Sequence, residues 1–207
     1  MQVSECLERV LQFSSTGEFS SEIIQARIEY FNRMGKVHED DPAFEARMKQ
    51  FLDWYIFTRS LGGHGVPPAK RFFDLFAKDM SDEEAEIYRG LCNSLHSVFR
   101  VKKVEKNGGL TLVDLFTKRR HFVETEDSGG FWKRQIFEAR LIPVGDAFRF
   151  SEAFCFHPDE SYKFIKAEIK KLRAEQCADL TKFLEKLALL KQKYDLYYKA
   201  NARQFYK

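Results

Sequence analysis

Cysteine is too sparse and too scattered in this chain to build a covalent framework. The four residues, Cys6, Cys92, Cys155 and Cys177, include no CxxC pair. That pattern argues for reduced thiols in a cytoplasmic protein and against a disulfide scaffold. Long apolar runs are missing too. None reaches the roughly 18 residues that a membrane helix needs, so no membrane partner is expected. Met1 to Arg9 lacks a basic segment followed by an apolar core, and no signal peptide is expected. GxSxG, HExxH, GxxxxGKS/T and GxGxxG are all absent, and the five histidines are too dispersed to nominate a triad. No catalytic residue is nominated, and a binding protein is favoured over an enzyme. Charge of one sign is also lacking: 34 Lys/Arg stand against 31 Asp/Glu, a formal +3. The distribution is more informative, because residues 1–99 are acidic on balance and the rest is basic, which raises the prior for a polyanion partner.

What is present is aromatic and β-rich in the middle. Ser97–Phe156 holds short β-branched and aromatic runs, broken at Asn107-Gly108-Gly109, Asp127-Ser128-Gly129-Gly130 and Val144-Gly145-Asp146. Such spacing marks consecutive hairpins. About five strands in about 60 residues suit a small antiparallel barrel, since closure removes exposed edges.

Helical patterns flank this stretch. Val3–Phe13 and a segment after Ser20 or Ser21 carry helical apolar periods, the second ending near Gly35. Asp41 and Pro42 open a third helix that runs to about Thr58 and is apolar on nearly every side at Phe51–Phe57. Asp53 within it is expected to cap a neighbouring helix or to pair with Arg59, Lys70 or Arg71, with a catalytic carboxylate as the sharper alternative. Leu61–Pro68 is a Gly/Pro-rich loop before a fourth helix, Ala69–Lys78. It reads as a turn that needs positive φ, with a phosphate cradle as the alternative. Ser81 and Glu84 form a capping box for a fifth helix reaching about Leu95. From Asp159 to Arg203 neither Gly nor Pro occurs. Positions Ile165, Ile169, Leu172, Gln176, Leu180, Phe183, Leu187, Leu190, Tyr194 and Tyr197 make a heptad seam with a stutter. One continuous helix would extend about 65 Å, so it must pair with another chain, bend back near Ala178–Asp179, or pack along the N-terminal helices.

The residues that remain are compatible with three kinds of partner. Cys92 and His96, at i, i+4 on the fifth helix, and Cys155 and His157, closing the last strand, have the ligand types of a zinc site. Nothing in sequence brings the two pairs together, so the cysteines are read as core residues and no metal or cofactor is expected. For nucleic acid, Lys118, Arg119 and Arg120 sit at one turn, while Phe131, Trp132, Lys133 and Arg134 follow a glycine loop. Small barrels bind single strands by stacking bases on aromatics beside phosphate-binding cations. An exposed Trp132 would favour this reading. The alternative is a protein–protein or scaffold role, with a homodimer as one form of it, through Leu187, Leu190, Tyr194 and Tyr197 of the terminal helix.

The order Phe51-Leu52-Asp53-Trp54-Tyr55, Gly/Pro turn, acidic-capped helix, Ser-Val-Phe-Arg-Val, Gly-Leu-Thr-Leu-Val-Asp-Leu and Ala-Arg-Leu-Ile-Pro-Val-Gly-Asp resembles a group of uncharacterised bacterial proteins. The resemblance spans about half the chain and implies a helical front and a small barrel, with no functional residue carried over. The expectation is therefore an α+β protein with N-terminal helices (1–96) packed on a central barrel (97–157), followed by a long C-terminal helical region (158–207), as one helix or a helical hairpin. Its leading role is single-stranded nucleic-acid binding in the cytoplasm.

Overall fold

The computed structural model describes residues 2–106, 108–125, 130–175, 179–197 and 201–206. Five helices come first: α1 (Val3–Ser15), α2 (Glu22–Met34), α3 (Phe44–Phe57), α4 (Pro68–Phe76) and α5 (Asp82–Cys92). Six strands follow: β1 (Leu95–Val104), β2 (Leu110–Asp114), β3 (Arg120–Val123), β4 (Ile136–Val144), β5 (Ala147–Phe150) and β6 (Cys155–His157). Helices α6 (Tyr162–Ala174) and α7 (Leu180–Leu196) come last. The strand order is β1-β2-β3-β5-β4-β6, and β1 also pairs with β4, which closes the first five strands into a barrel. The barrel is mixed, not antiparallel as expected. A closed ring with an odd number of strands cannot alternate direction all the way round, so one neighbouring pair must run parallel.

The chain divides into two compact units, Met1–Leu95 with Leu141–Ala153 and His96–Arg140 with Phe154–Lys207. In the first unit, α1 to α5 bury Cys6, Val10, Tyr30, Phe51, Tyr55 and Tyr88. Two local devices fix it. Arg47 of α3 is buried and donates to the carbonyls of Met34 and Lys36 at 2.8 Å each, and to that of Gly35. These groups at the end of α2 have no partner within their own helix, so one guanidinium caps it. Gly90 of α5 meets the end of β4, where a Cβ would lie 2.1 Å from the Pro143 carbonyl oxygen. Only glycine fits there. The Ser81–Glu84 capping box is formed, but α5 stops at Cys92, because Asn93 turns its amide and side chain onto the Arg89 carbonyl. His96 therefore lies on β1, and the expected i, i+4 pair with Cys92 does not exist.

In the second unit, β1 and β2 pair with a bulge between Val101 and Lys103, and β2 pairs with β3 from Leu110↔Val123 to Val113↔Arg120. The C-terminal region is two helices, of 13 and 17 residues, not one long helix; the second opens at Asp179, where a bend was one of the three expectations. Asp179 caps the second by accepting from the Lys182 amide at 3.1 Å. Lys186 of α7 reaches back to Glu168 of α6 at 2.9 Å. The seam turns inward: Ile165, Ile169, Phe183 and Leu187 share a core with Val98 and Ile136. Burying that stripe within the chain stabilises by the same area rule that a partner would supply. Gln176 of the predicted stutter lies outside the described residues.

Candidate nucleic-acid interface

The candidate surface follows from strand alternation. On β2, Leu110, Leu112 and Asp114 are buried, which turns Thr111 and Val113 outward. Register then places Arg100, Val113 and Arg120 in one outward row, and Lys103, Thr111 and Phe122 in the next. Phe122 is 43% exposed. Its ring lies across Gly109, where a Cβ would come within 3.1 Å of it. Arg100 is partly engaged, with its guanidinium 4.2 Å from the centroid of the Tyr162 ring. Lys103 pairs with Glu105, which also accepts from Thr111 at 2.8 Å.

Two tight loops extend this face. The β2–β3 turn is built on Asp114, which is fully buried. Its carboxylate accepts from Ser97 at 2.7 Å, from the Phe116 amide at 2.8 Å and from Thr117 at 2.6 Å. Its backbone accepts from the Lys118 amide at 2.8 Å and donates to Arg119 at 3.0 Å. The turn so fixed presents Lys118, Arg119 and Arg120, all exposed. The loop before β4 is built on Gln135, also buried, whose side chain accepts from the Trp132 amide at 3.3 Å. The Arg134 amide donates to Val101 at 2.9 Å, which ties this loop to β1. Trp132 is 56% exposed, and Lys133 and Arg134 are exposed beside it.

Lys118 and Arg134 have φ of 63° and 78°, two of the three positive values outside glycine among the described residues. Such backbone costs on the order of 1–3 kcal/mol and persists where its surroundings impose it. Among the described residues, no ion pair takes up Lys118, Arg119, Arg120, Lys133 or Arg134. Phe131 is placed differently. It packs on Phe137, Phe154 and Phe156 with centroids 5.3 to 5.9 Å apart, and so anchors the loop. Sequence reasoning missed Phe122, Asp114 and Gln135. Period-two alternation through β2 and β3 was the signal for the first; the two pins carry none.

The remaining candidates sit elsewhere. Leu187 is buried, Leu190 and Tyr194 pack against the same core, and Tyr197 is exposed and stacks on Phe205 at 5.5 Å. Asp53 accepts from Ser151 at 2.6 Å, and His64 packs edge-on against Phe19. Glu22, bonded by Arg59 at 2.7 Å, fills the space at Gly62, where a Cβ would come 2.2 Å from its carboxylate. The glycine loop thus holds the chain's own carboxylate. Cys92 is a half-buried thiol pushed up to about 11 by burial, its sulfur 3.8 Å from the Ala69 carbonyl. Cys155 and His157 do come together, with Glu138 of β4. Burial, with Lys191 second, pushes His157 down to about 3, so it is a neutral imidazole.

The geometry defines a mixed α+β protein whose small barrel carries a basic, aromatic outer face. The chain belongs to DUF7986, a family of unknown function whose sequence profile matches residues 19–198. No curated protein and no solved structure matches it. Among the described residues, no helix is long and apolar enough to cross a membrane.

Proposed function

We propose that this protein is a non-enzymatic, cytoplasmic binding protein that holds single-stranded nucleic acid on the β1-β2-β3 face. One observation carries the reading: Phe122 and Trp132 stand exposed in the company of cations that no carboxylate among the described residues pairs with. Aromatics of this kind stack bases, worth about 1–3 kcal/mol each, while the cations track the phosphates. Five-stranded Greek-key barrels of the oligonucleotide-binding type use the face of their second and third strands and the loops beside it. The correspondence is an analogy of fold. Lys118, Arg119, Arg120, Lys133 and Arg134 are the phosphate-binding candidates, and Trp132 and Phe122 the stacking ones. Phe131 acts through its anchoring of the loop.

The test is fluorescence anisotropy with labelled single-stranded RNA, single-stranded DNA and duplex DNA over a salt series. The expected result is single-strand binding whose log affinity falls with log salt at a slope near −0.7 per phosphate neutralised. Absence of binding at low salt would sink the reading. A second reading, self-association through the end of α7, rests on exposed Leu196 and Tyr197. A single monomer peak in sedimentation at high protein concentration removes it.

A further inference from the structure

β4 and β6 pair antiparallel, with Ile136 opposite His157 and Glu138 opposite Cys155. Residues two apart on a strand share a face, so Cys155 and His157 point the same way, and Glu138 joins them from across the ladder. One ligand-type atom from each of the three lies within 4.8 Å of the other two. Four-coordinate zinc holds its ligands at about 2.0–2.3 Å, so small side-chain adjustments bring these atoms onto one ion.

Two of the three residues have an atom with no partner. His157 Nε2 and Glu138 Oε2 are buried and make no hydrogen bond among the described residues. His157 itself is 5% exposed. A buried polar atom left this way costs about 1–3 kcal/mol. The opposite atoms are both engaged. His157 Nδ1 faces the Tyr206 hydroxyl at 3.1 Å, and Glu138 Oε1 meets His96 Nε2 at 3.0 Å. That is the arrangement of a metal site, where outer hydrogen bonds orient each ligand and leave its other atom for the ion.

We propose that Glu138, Cys155 and His157 form a binding site for a borderline divalent cation of the zinc class, with Tyr206 and His96 as positioning residues. The donor set of one sulfur, one nitrogen and one oxygen suits zinc better than magnesium or calcium, which take oxygen donors. Charge balances, since a thiolate and a carboxylate neutralise a divalent ion and the imidazole stays neutral. On binding, the Cys155 thiol releases its proton to solvent as the metal–sulfur bond forms. Three protein ligands leave a fourth position open to water. The ion would tie β4 to β6 and, through Tyr206, to the C-terminal segment. This proposal is independent of the nucleic-acid reading.

The test is titration of the full chain with Co(II), read by absorbance and then displaced by Zn(II). One equivalent should produce a thiolate-to-cobalt charge-transfer band with the intense d–d bands of four-coordination, both lost when zinc displaces cobalt. The Cys6→Ser/Cys92→Ser/Cys177→Ser variant should keep the bands, and Cys155→Ser should lose them. Glu138→Gln retains the shape of the side chain and should weaken binding tenfold or more, which covers the case in which Cys155→Ser fails to fold. No charge-transfer band in the unaltered protein, or one lost in the triple variant, overturns the proposal. A band that survives Cys155→Ser does the same.

Discussion

Two carboxylates in the same unit, Asp114 and the half-buried Glu138, have opposite fates. Asp114 has both oxygens occupied, by Ser97, Phe116 and Thr117, and is fully enclosed. Glu138 has one oxygen on His96 and the other, among the described residues, on no hydrogen-bond donor, beside an imidazole nitrogen in the same condition. A satisfied carboxylate is a structural pin, since its hydrogen bonds replace those lost to water. An unsatisfied one destabilises the fold as it stands and is retained where something else supplies the missing charge. The difference separates the residue that shapes a surface from the residue that waits for a ligand.

The comparison breaks most visibly at Asp114. Asp114→Ala strands three donors and releases the turn that presents Lys118, Arg119 and Arg120. We expect a loss of about 3 kcal/mol in urea unfolding and weaker single-strand binding by anisotropy. A loss below about 1 kcal/mol would mean that the turn holds without its pin. Tyr206→Phe probes the other side. Without metal it should cost about 1 kcal/mol, the worth of one hydrogen bond. Zinc affinity should fall tenfold or more by competition with a chelator, because the ring loses its orienting partner.

A third carboxylate sharpens the contrast through pH. Glu22 is answered by a cation: Arg59 holds its carboxyl below the ordinary value of 4.5, with the Gly62 amide assisting against burial. A lowered folded pKa means that the unfolded chain binds the proton more readily. The contribution is therefore complete above about pH 4.5 and is lost as pH falls through the folded value. Thermal melting temperatures between pH 6 and pH 3 should fall less steeply for Glu22→Gln than for the unaltered protein. Parallel slopes would show that Arg59 gains nothing from the pair.

Local chemistry was legible in the sequence and non-local closure was not. The Ser81–Glu84 box depends on residues three apart and forms as read. The β1–β2 and β4–β5 hairpins were visible for the same reason, but β3 and β4, read as successive hairpin strands, do not pair; Asp127, Ser128 and Gly129 of the turn read between them lie outside the described residues. The barrel's mixed direction arises only when the ring closes. Eight of the ten seam positions, all but Tyr197 and Gln176, which lies outside the described residues, form one inward stripe, yet a stripe looks the same whether its partner is another chain or α6. Asn93 was the local signal that should have separated Cys92 from His96, since a short amide side chain competes for helix-end carbonyls. Glu138 had no signal at all. Its nearness to Cys155 exists only in the β4–β6 register, and the pairing of Cys155 with His157 alone could not say what completes the set.

The smallest effect on stability is expected at Trp132, which gives the clearest reading of the surface. Its indole is more than half exposed, and the loop's hydrogen bonds run through its backbone and Gln135. Trp132→Ala should leave unfolding free energy within about 0.5 kcal/mol, because neither a core contact nor a pin is removed. If the indole stacks a base, the same change should lower single-strand affinity by about 1–3 kcal/mol, roughly ten- to a hundredfold, with the salt slope unchanged. Lys133→Ala should do the reverse, reducing the slope by about 0.7 while leaving the stacking intact. A Trp132→Ala variant that loses stability but not affinity would place the indole with Phe131, as part of the loop's anchor.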